Sequence, residues 1–122
     1  MKKIIFLLFF IYLFSLNIYA QPPTIYNLGQ FQIQTIDNNY NTIYIAVDVI
    51  FTYQDNVRML AVELPEISYI LKDEIYSIFA EYQTEPFMNN MKEVKERIRK
   101  SVNDNLRSGE IKDVLFDNIT YF

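Results

Sequence analysis

In the segment from Thr42 to Tyr53, apolar side chains alternate strictly with a more polar set, and this pattern limits the folds that the chain can adopt. One face of the segment carries Ile43, Ile45, Val47, Val49, Phe51 and Tyr53. Because successive side chains of a strand point to opposite faces of a sheet, this alternation predicts a β-strand with one buried face. The β-branched residues also suit a pleated, half-buried surface. We expect this segment to be the central strand of a sheet that packs helices on one face.

Two other segments predict strands that join this one. Residues 30–36 alternate glutamine with apolar side chains, and residues 37–41 are short polar residues that favour a turn. Together they predict a hairpin with the central strand. The tail, residues 110–122, has a nearly continuous apolar centre, which predicts a last strand in the interior of the sheet.

Between these strands, the apolar residues recur at three- and four-residue spacing. Residues 67–83 predict one helix with Pro65 near its start, and residues 84–106 predict a second helix with Thr84 as its cap. Gly109 is the predicted left-handed C-cap of the second helix. The predicted order is β-β-α-α-β. The fold class is therefore α/β of the α+β kind, with a small antiparallel or mixed sheet and two packed helices.

The amino terminus has the features of an export signal. Lys2 and Lys3 precede an apolar run, residues 4–16, and a short segment, residues 17–20, ends in the small residue Ala20 before Gln21-Pro22-Pro23. The run is shorter than most membrane-spanning helices, which favours cleavage after Ala20, although a short uncleaved anchor is the alternative. We expect residues 1–20 to be a signal peptide or short membrane anchor, and residues 21–122 to be a single domain in the periplasm.

Charge and composition narrow the classes of function. Of the 11 Lys and Arg residues, Lys2 and Lys3 lie in the leader, so nine basic residues face 15 acidic ones in residues 21–122. Such a surface repels polyanions, and we expect no nucleic-acid partner. The chain has no His and no Cys, which removes the usual general base, the thiolate nucleophile and the commonest zinc ligands.

We therefore expect a protein that is not an enzyme, with no catalytic residue, no cofactor and no metal site. A serine–lysine pair stays open in principle, but the serines lie in no recognisable motif. Ser77 and Ser101 are predicted to be ordinary residues of helix surfaces.

The second predicted helix carries a charged face that could contact another protein. Its candidate residues are Lys92, Glu93, Glu96, Arg97 and Lys100. Glu93 with Arg97, and Glu96 with Lys100, have the spacing of i,i+4 ion pairs. The alternative interpretation is an ordinary solvated helix face.

Three groups of motifs resemble the flagellar basal-body-associated FliL family. The first is the opening segment 23–28 followed by Phe31 and Ile33, and the second is Leu64-Pro65 followed by residues 71–75. The third closes the chain: Val102-Asn103, Leu106, Gly109 and then Ile111-Lys112-Asp113-Val114-Leu115-Phe116. The third group is the most specific in its order and spacing.

This resemblance implies a domain similar to the stomatin and prohibitin type, held at the inner membrane and assembled as a ring around the flagellar stator. The implied partners are flagellar stator proteins and other copies of the chain, and ring closure requires heterologous contacts between neighbours. The implied role is a non-enzymatic accessory of the motor that supports motility. The alternative is a soluble periplasmic binding or chaperone-like module, unrelated to the motor, that pairs an exposed sheet edge with a partner strand.

Overall fold

A computed structural model describes residues 23–122, which form one sheet and a helical layer. The strands are β1 (Thr24–Ile36), β2 (Thr42–Tyr53) and β3 (Asp113–Tyr121), and the helices are α1 (Val57–Glu66), α2 (Ser68–Ala80) and α3 (Met91–Asn105). The sheet order is β1-β2-β3, and both strand pairs are antiparallel. The predicted fold class and order are confirmed, with α2 and α3 as the two expected helices. The likeness to the stomatin and prohibitin type stays a prediction.

The predictions for Lys2, Lys3 and Ala20 lie outside the described residues. Within residues 23–122, no helix is long and apolar enough to cross a membrane.

The predicted hairpin joins β1 to β2. Asp37 organises its turn, because the carboxylate of Asp37 accepts hydrogen bonds from the main-chain N–H groups of Asn39 and Asn41, each at 2.9 Å. These bonds, that from Asn41 first, lower the pKa of Asp37. Tyr40 has a φ of 63°, the left-handed conformation that such turns require.

β2 is the central strand, as predicted, and its apolar face forms the middle of the core. Ile45, Val47, Val49 and Phe51 are fully buried beneath the helices. Phe31 from β1 and Phe79 from α2 pack edge to face, with ring centroids 5.6 Å apart. Asp48 lies on the opposite face of the sheet, where it is half-buried.

The structure contains a helix, α1, that the sequence analysis did not predict. α1 buries Leu60 and Leu64, which are four residues apart, and ends at Glu66. Pro65 lies inside the last turn of α1 rather than at the start of α2. The first predicted helix, residues 67–83, corresponds to α2, which is shorter and spans Ser68–Ala80.

The predicted caps at both ends of the second helix were wrong. A short 3-10 turn (Phe87–Asn90) precedes α3, and Thr84 caps neither element. The hydroxyl of Thr35 instead holds residues 82–87 against β1. α3 ends at Asn105 and the chain then becomes extended at Leu106, so Gly109 is not a left-handed cap.

A different constraint acts at Gly109. A Cβ atom there would lie 2.9 Å from Nδ2 of Asn56, so Gly109 allows the chain to pass close to the start of α1.

β3 lies at an edge of the sheet, and the predicted interior position was wrong. The apolar run of β3 does not mean that both of its faces are buried. Val114 points into the core, whereas the next residue, Leu115, is 45% exposed on the other face. Only the helix side of the sheet is covered by the described helices.

Candidate interaction surfaces

The predicted contact residues lie on α3, which packs on the core through Val94, Ile98 and Val102. Lys92, Glu93 and Lys100 are exposed. Within residues 23–122, these three side chains form no hydrogen bond or ion pair. They are therefore available to a partner without breaking contacts in the described part of the chain.

The other two predicted contact residues, Arg97 and Glu96, bind neighbours that the spacing did not indicate. Arg97 forms an ion pair with Glu81, which follows α2, and donates a hydrogen bond to the Tyr82 hydroxyl at 3.3 Å. The contact with Tyr82, followed by that with Glu81, raises the pKa of Arg97. The predicted pair of Glu93 with Arg97 is thus replaced by a contact between α3 and the segment that follows α2.

Glu96 pairs with Arg99 rather than with Lys100. The Nε atom of Arg99 lies 3.0 Å from a carboxylate oxygen of Glu96. This hydrogen bond is the main reason that the pKa of Glu96 is lowered. Glu96 is exposed and Arg99 is only half-buried, so the pair adds little to stability. The face predicted as one continuous contact is therefore divided between free and paired charges.

A second surface is the α1–α2 groove, which we define as the open depression between α1, α2 and the segment after α3. Its volume is about 740 Å³. The apolar lining is Met59, Val62, Ile67 and Ile70, with Arg58 and Arg107 among the polar lining residues. Met59 is 59% and Val62 is 68% exposed. These side chains do not serve the core, which α1 contacts through Leu60 and Leu64.

Glu63 fixes one wall of the α1–α2 groove. Its carboxylate accepts hydrogen bonds from the main-chain N–H groups of Arg107 at 3.0 Å and Ser108 at 2.9 Å. Partial desolvation raises the pKa of Glu63, but the N–H groups of Ser108 and Arg107 outweigh it and hold that pKa below its ordinary value. The segment after α3 is thereby tied to α1.

Asn103 holds the following part of the same connection. Its side-chain amide donates to the carbonyl of Ile111 at 3.2 Å and accepts from the N–H of Ile111 at 2.8 Å. These two hydrogen bonds resemble those between paired strands, and they position the chain at the start of β3. It also gives a structural reason for Asn103 in the closing motif.

The two serines predicted on helix surfaces differ in their surroundings. Ser77 is exposed and donates to the carbonyl of Asp73 in its own helix, at 3.1 Å. Ser101 is half-buried and donates to the carboxylate of Glu74 at 2.6 Å, which joins α3 to α2. Asn105 donates to the same Glu74 oxygen at 2.7 Å.

The sequence analysis missed the α1–α2 groove because it missed α1. The available signal was a pair of offset patterns, in which Leu60 and Leu64 share one side of a helix while Met59 and Val62 share another. Two apolar sides on a ten-residue helix indicate one side for the core and one for another contact.

In comparisons with known proteins, no family model and no curated protein matches the chain.

Proposed function

We propose that this chain is a non-enzymatic accessory protein of the flagellar motor. It associates with stator proteins at the periplasmic face of the inner membrane and with other copies of itself in a ring. Residues 1–20, where they are not cleaved, anchor it to that membrane. The observation that carries the proposal is the α1–α2 groove, combined with the motifs that resemble the FliL family.

The α1–α2 groove has the composition of a protein-binding surface. Clustered exposed apolar side chains rimmed by polar residues are typical of sites that contact another protein. Met59 and Val62 supply the apolar part, and Arg58 and Arg107 are exposed cations beside it. The carboxylates of Glu63 and Glu66 also line the groove and balance these cations. A partner segment with an apolar centre and no strong net charge fits this surface.

The charged face of α3 is the second proposed contact. Lys92, Glu93 and Lys100 are its free members, and Arg97 and Glu96 lie between them. Exposed charges of this kind steer association and set specificity more than they add affinity. We therefore assign the main binding energy to the α1–α2 groove and the selection of the partner to α3.

Swimming assays test this proposal. In a strain that lacks the gene, swimming speed falls and the intact gene restores it. A gene encoding Met59→Lys with Val62→Lys fails to restore it, because two charges then enter the apolar groove. Ser77→Lys is the matched control: it adds a charge at an exposed α2 position outside the groove, and it restores swimming. Normal swimming without the gene would contradict the motor role.

One observation favours the alternative function, a soluble periplasmic binding or chaperone-like module. β1 is an edge strand, and an extended client segment could pair with it. Unchanged swimming after deletion, a cleaved leader and a monomeric protein would together support this alternative.

A further inference from the structure

β1 is a long edge strand without the usual protection against strand pairing. Its 13 residues include no charged residue and no proline. Natural edge strands are commonly protected by charges, prolines, bulges or short length, because their free main-chain groups can pair with another strand. A bulge next to Gly29 interrupts β1 near its start, but residues 30–36 continue without one.

β3, at the other edge, has the protection that β1 lacks. It contains Asp113 and Asp117, and its pairing with β2 is interrupted at Asn118, which has a φ of 50°. The two edges of the sheet are therefore not equivalent, and β1 is the edge suited to pairing.

Among residues 30–35, the main-chain groups at the free edge belong to three glutamines. The N–H of Asp37 donates to the carbonyl of Asn41 at 2.9 Å, so the groups of Asp37 point towards β2. The direction of the main-chain N–H and C=O groups alternates along a strand. Those of Ile33 therefore also point to β2, while those of Gln30, Gln32 and Gln34 point away from it. Within residues 23–122, no other segment donates to or accepts from the main chain of these glutamines.

The glutamine side chains make this edge complementary to itself. All three are exposed on the sheet face opposite the helices, while Phe31 and Ile33 between them are buried. A glutamine amide both donates and accepts, so identical side chains can pair across two strands. No charges oppose one another when two such edges meet.

We propose that β1 pairs antiparallel with β1 of a second copy, about a two-fold axis at Gln32. Gln32 then lies opposite its own counterpart, and Gln30 lies opposite position 34 of the other copy. This register directs the outward main-chain groups of both strands at one another and keeps both helical layers on one side of a six-stranded sheet.

Tyr76 supplies apolar surface beside the same edge. It lies on α2, its ring centroid is 4.6 Å from that of Phe31, and yet 44% of it is exposed. Pairing of β1 carries Tyr76 of each copy to the boundary between the two helical layers, where it loses exposure. A second copy thus gains side-chain contacts as well as main-chain hydrogen bonds.

This two-fold contact closes at two copies, so a ring would need a different surface for its other contacts. The inference does not rest on the proposed motor function, since it concerns only the association of the chain with itself.

Disulfide trapping tests the pairing, and the cysteine-free sequence makes each result specific. In the full chain, purified in mild detergent, Gln32→Cys should form a disulfide-linked dimer under mild oxidation. Directly opposed residues of this kind have Cα atoms about 5.5 Å apart, within the range for a disulfide. Gln30→Cys alone should not crosslink, because its two copies lie about 13 Å apart along the strands. An equimolar mixture of Gln30→Cys and Gln34→Cys should crosslink.

Thr120→Cys, exposed on β3, is the control at the opposite edge and should stay unlinked. A disulfide between the two different chains in a mixture of Gln32→Cys and Thr120→Cys would mean pairing of β1 with β3, and would overturn the two-fold dimer.

Charge at the edge provides a second test that leaves the fold intact, because both altered residues are exposed. Gln32→Lys with Gln34→Lys should raise the dimer dissociation constant about tenfold or more, since position 32 lies directly opposite its own counterpart and position 34 lies diagonal to position 32 of the other copy. Circular dichroism should be unchanged. A protein that is monomeric at every concentration tested, or a dimer that the two lysines leave unchanged, would overturn the proposal.

Discussion

Substitution of Thr35 tests whether its hydrogen bonds join β1 to the segment before α3. Its buried hydroxyl lies 2.7 Å from the carbonyl oxygen of Tyr82 and 2.9 Å from that of Glu85, and it accepts the N–H of Phe87 at 3.0 Å. A hydroxyl has a single proton, so it donates to one of the two carbonyls at a time. Thr35→Val keeps the side-chain shape and removes both functions of the hydroxyl.

The expected cost follows from the groups that are left without partners. Each hydrogen bond contributes about 0.5–1.5 kcal/mol, and a buried N–H without a partner costs about 1–3 kcal/mol. Phe87 is itself buried, so water cannot easily replace the lost acceptor. We therefore expect Thr35→Val to lower the free energy of unfolding by about 2–4 kcal/mol.

Thr52 provides a matched control in the neighbouring strand. It is also a buried threonine, but its hydroxyl has no hydrogen-bond partner within the described part of the chain. Valine at this position removes a polar atom that gains nothing from burial. Thr52→Val should therefore leave stability unchanged or raise it by up to about 1 kcal/mol.

Equilibrium urea unfolding, followed by far-ultraviolet circular dichroism, distinguishes the two variants. With a urea slope of about 1–3 kcal/mol/M, Thr35→Val should lower the midpoint by about 0.7 M or more, and Thr52→Val should not lower it. Equal effects of the two substitutions, or a loss below about 1 kcal/mol for Thr35→Val, would refute the reasoning from hydrogen bonding.

Three further predictions concern the connection between α3 and β3. Glu63→Gln should destabilise the protein by about 1–2 kcal/mol at neutral pH. Because the pKa of Glu63 is lowered on folding, this difference in stability is present above the ordinary carboxyl pKa and disappears as the pH falls through the pKa of the folded protein. Urea midpoints measured across the acidic range would detect this change. Asn103→Ala should cost about 1–3 kcal/mol through the loss of both bonds to Ile111, and a cost as small as that of an exposed substitution would contradict the role of Asn103. Gly109→Ala should cost up to about 1 kcal/mol, because the end of the Asn56 side chain can turn away from the new methyl group but its Cβ, at 3.3 Å, must still shift. In the same urea assay, this substitution should cost less in a background of Asn56→Gly than in the natural sequence.

The sequence predicted the elements in which one local pattern dominates. The alternation from Thr42 to Tyr53 identified the central strand because its apolar face is continuous and covered along its length. The turn at Asp37 was predicted for a similar reason, since Asp37 bonds to residues two and four positions away. Local chemistry was sufficient in both cases.

Features that depend on distant contacts could not be predicted in this way. The position of β3 at the edge was missed because an apolar run does not reveal whether both faces are covered, and Leu115 is in fact exposed. Thr84 was chosen as a cap although Thr35, far away in sequence, controls that segment. The partner of Arg97 is Glu81, on a neighbouring segment, rather than a residue one turn away in α3.

The same limit applies to the candidate contacts. The charged face of α3 was recognisable from its spacing, whereas the α1–α2 groove requires α1, α2 and the segment after α3 to come together. The free edge of β1 became recognisable only once the order of the sheet was known.

Crosslinking in living cells tests the proposed motor role most directly. The chain, tagged after Phe122, would be crosslinked in cells with assembled motors, purified, and its attached proteins identified by mass spectrometry. The account predicts stator proteins together with self-crosslinked multimers, and a loss of the stator proteins in the Met59→Lys and Val62→Lys variant. Self-crosslinked dimers without stator proteins would support the pairing of β1 and contradict the motor role. Recovery of neither would contradict both.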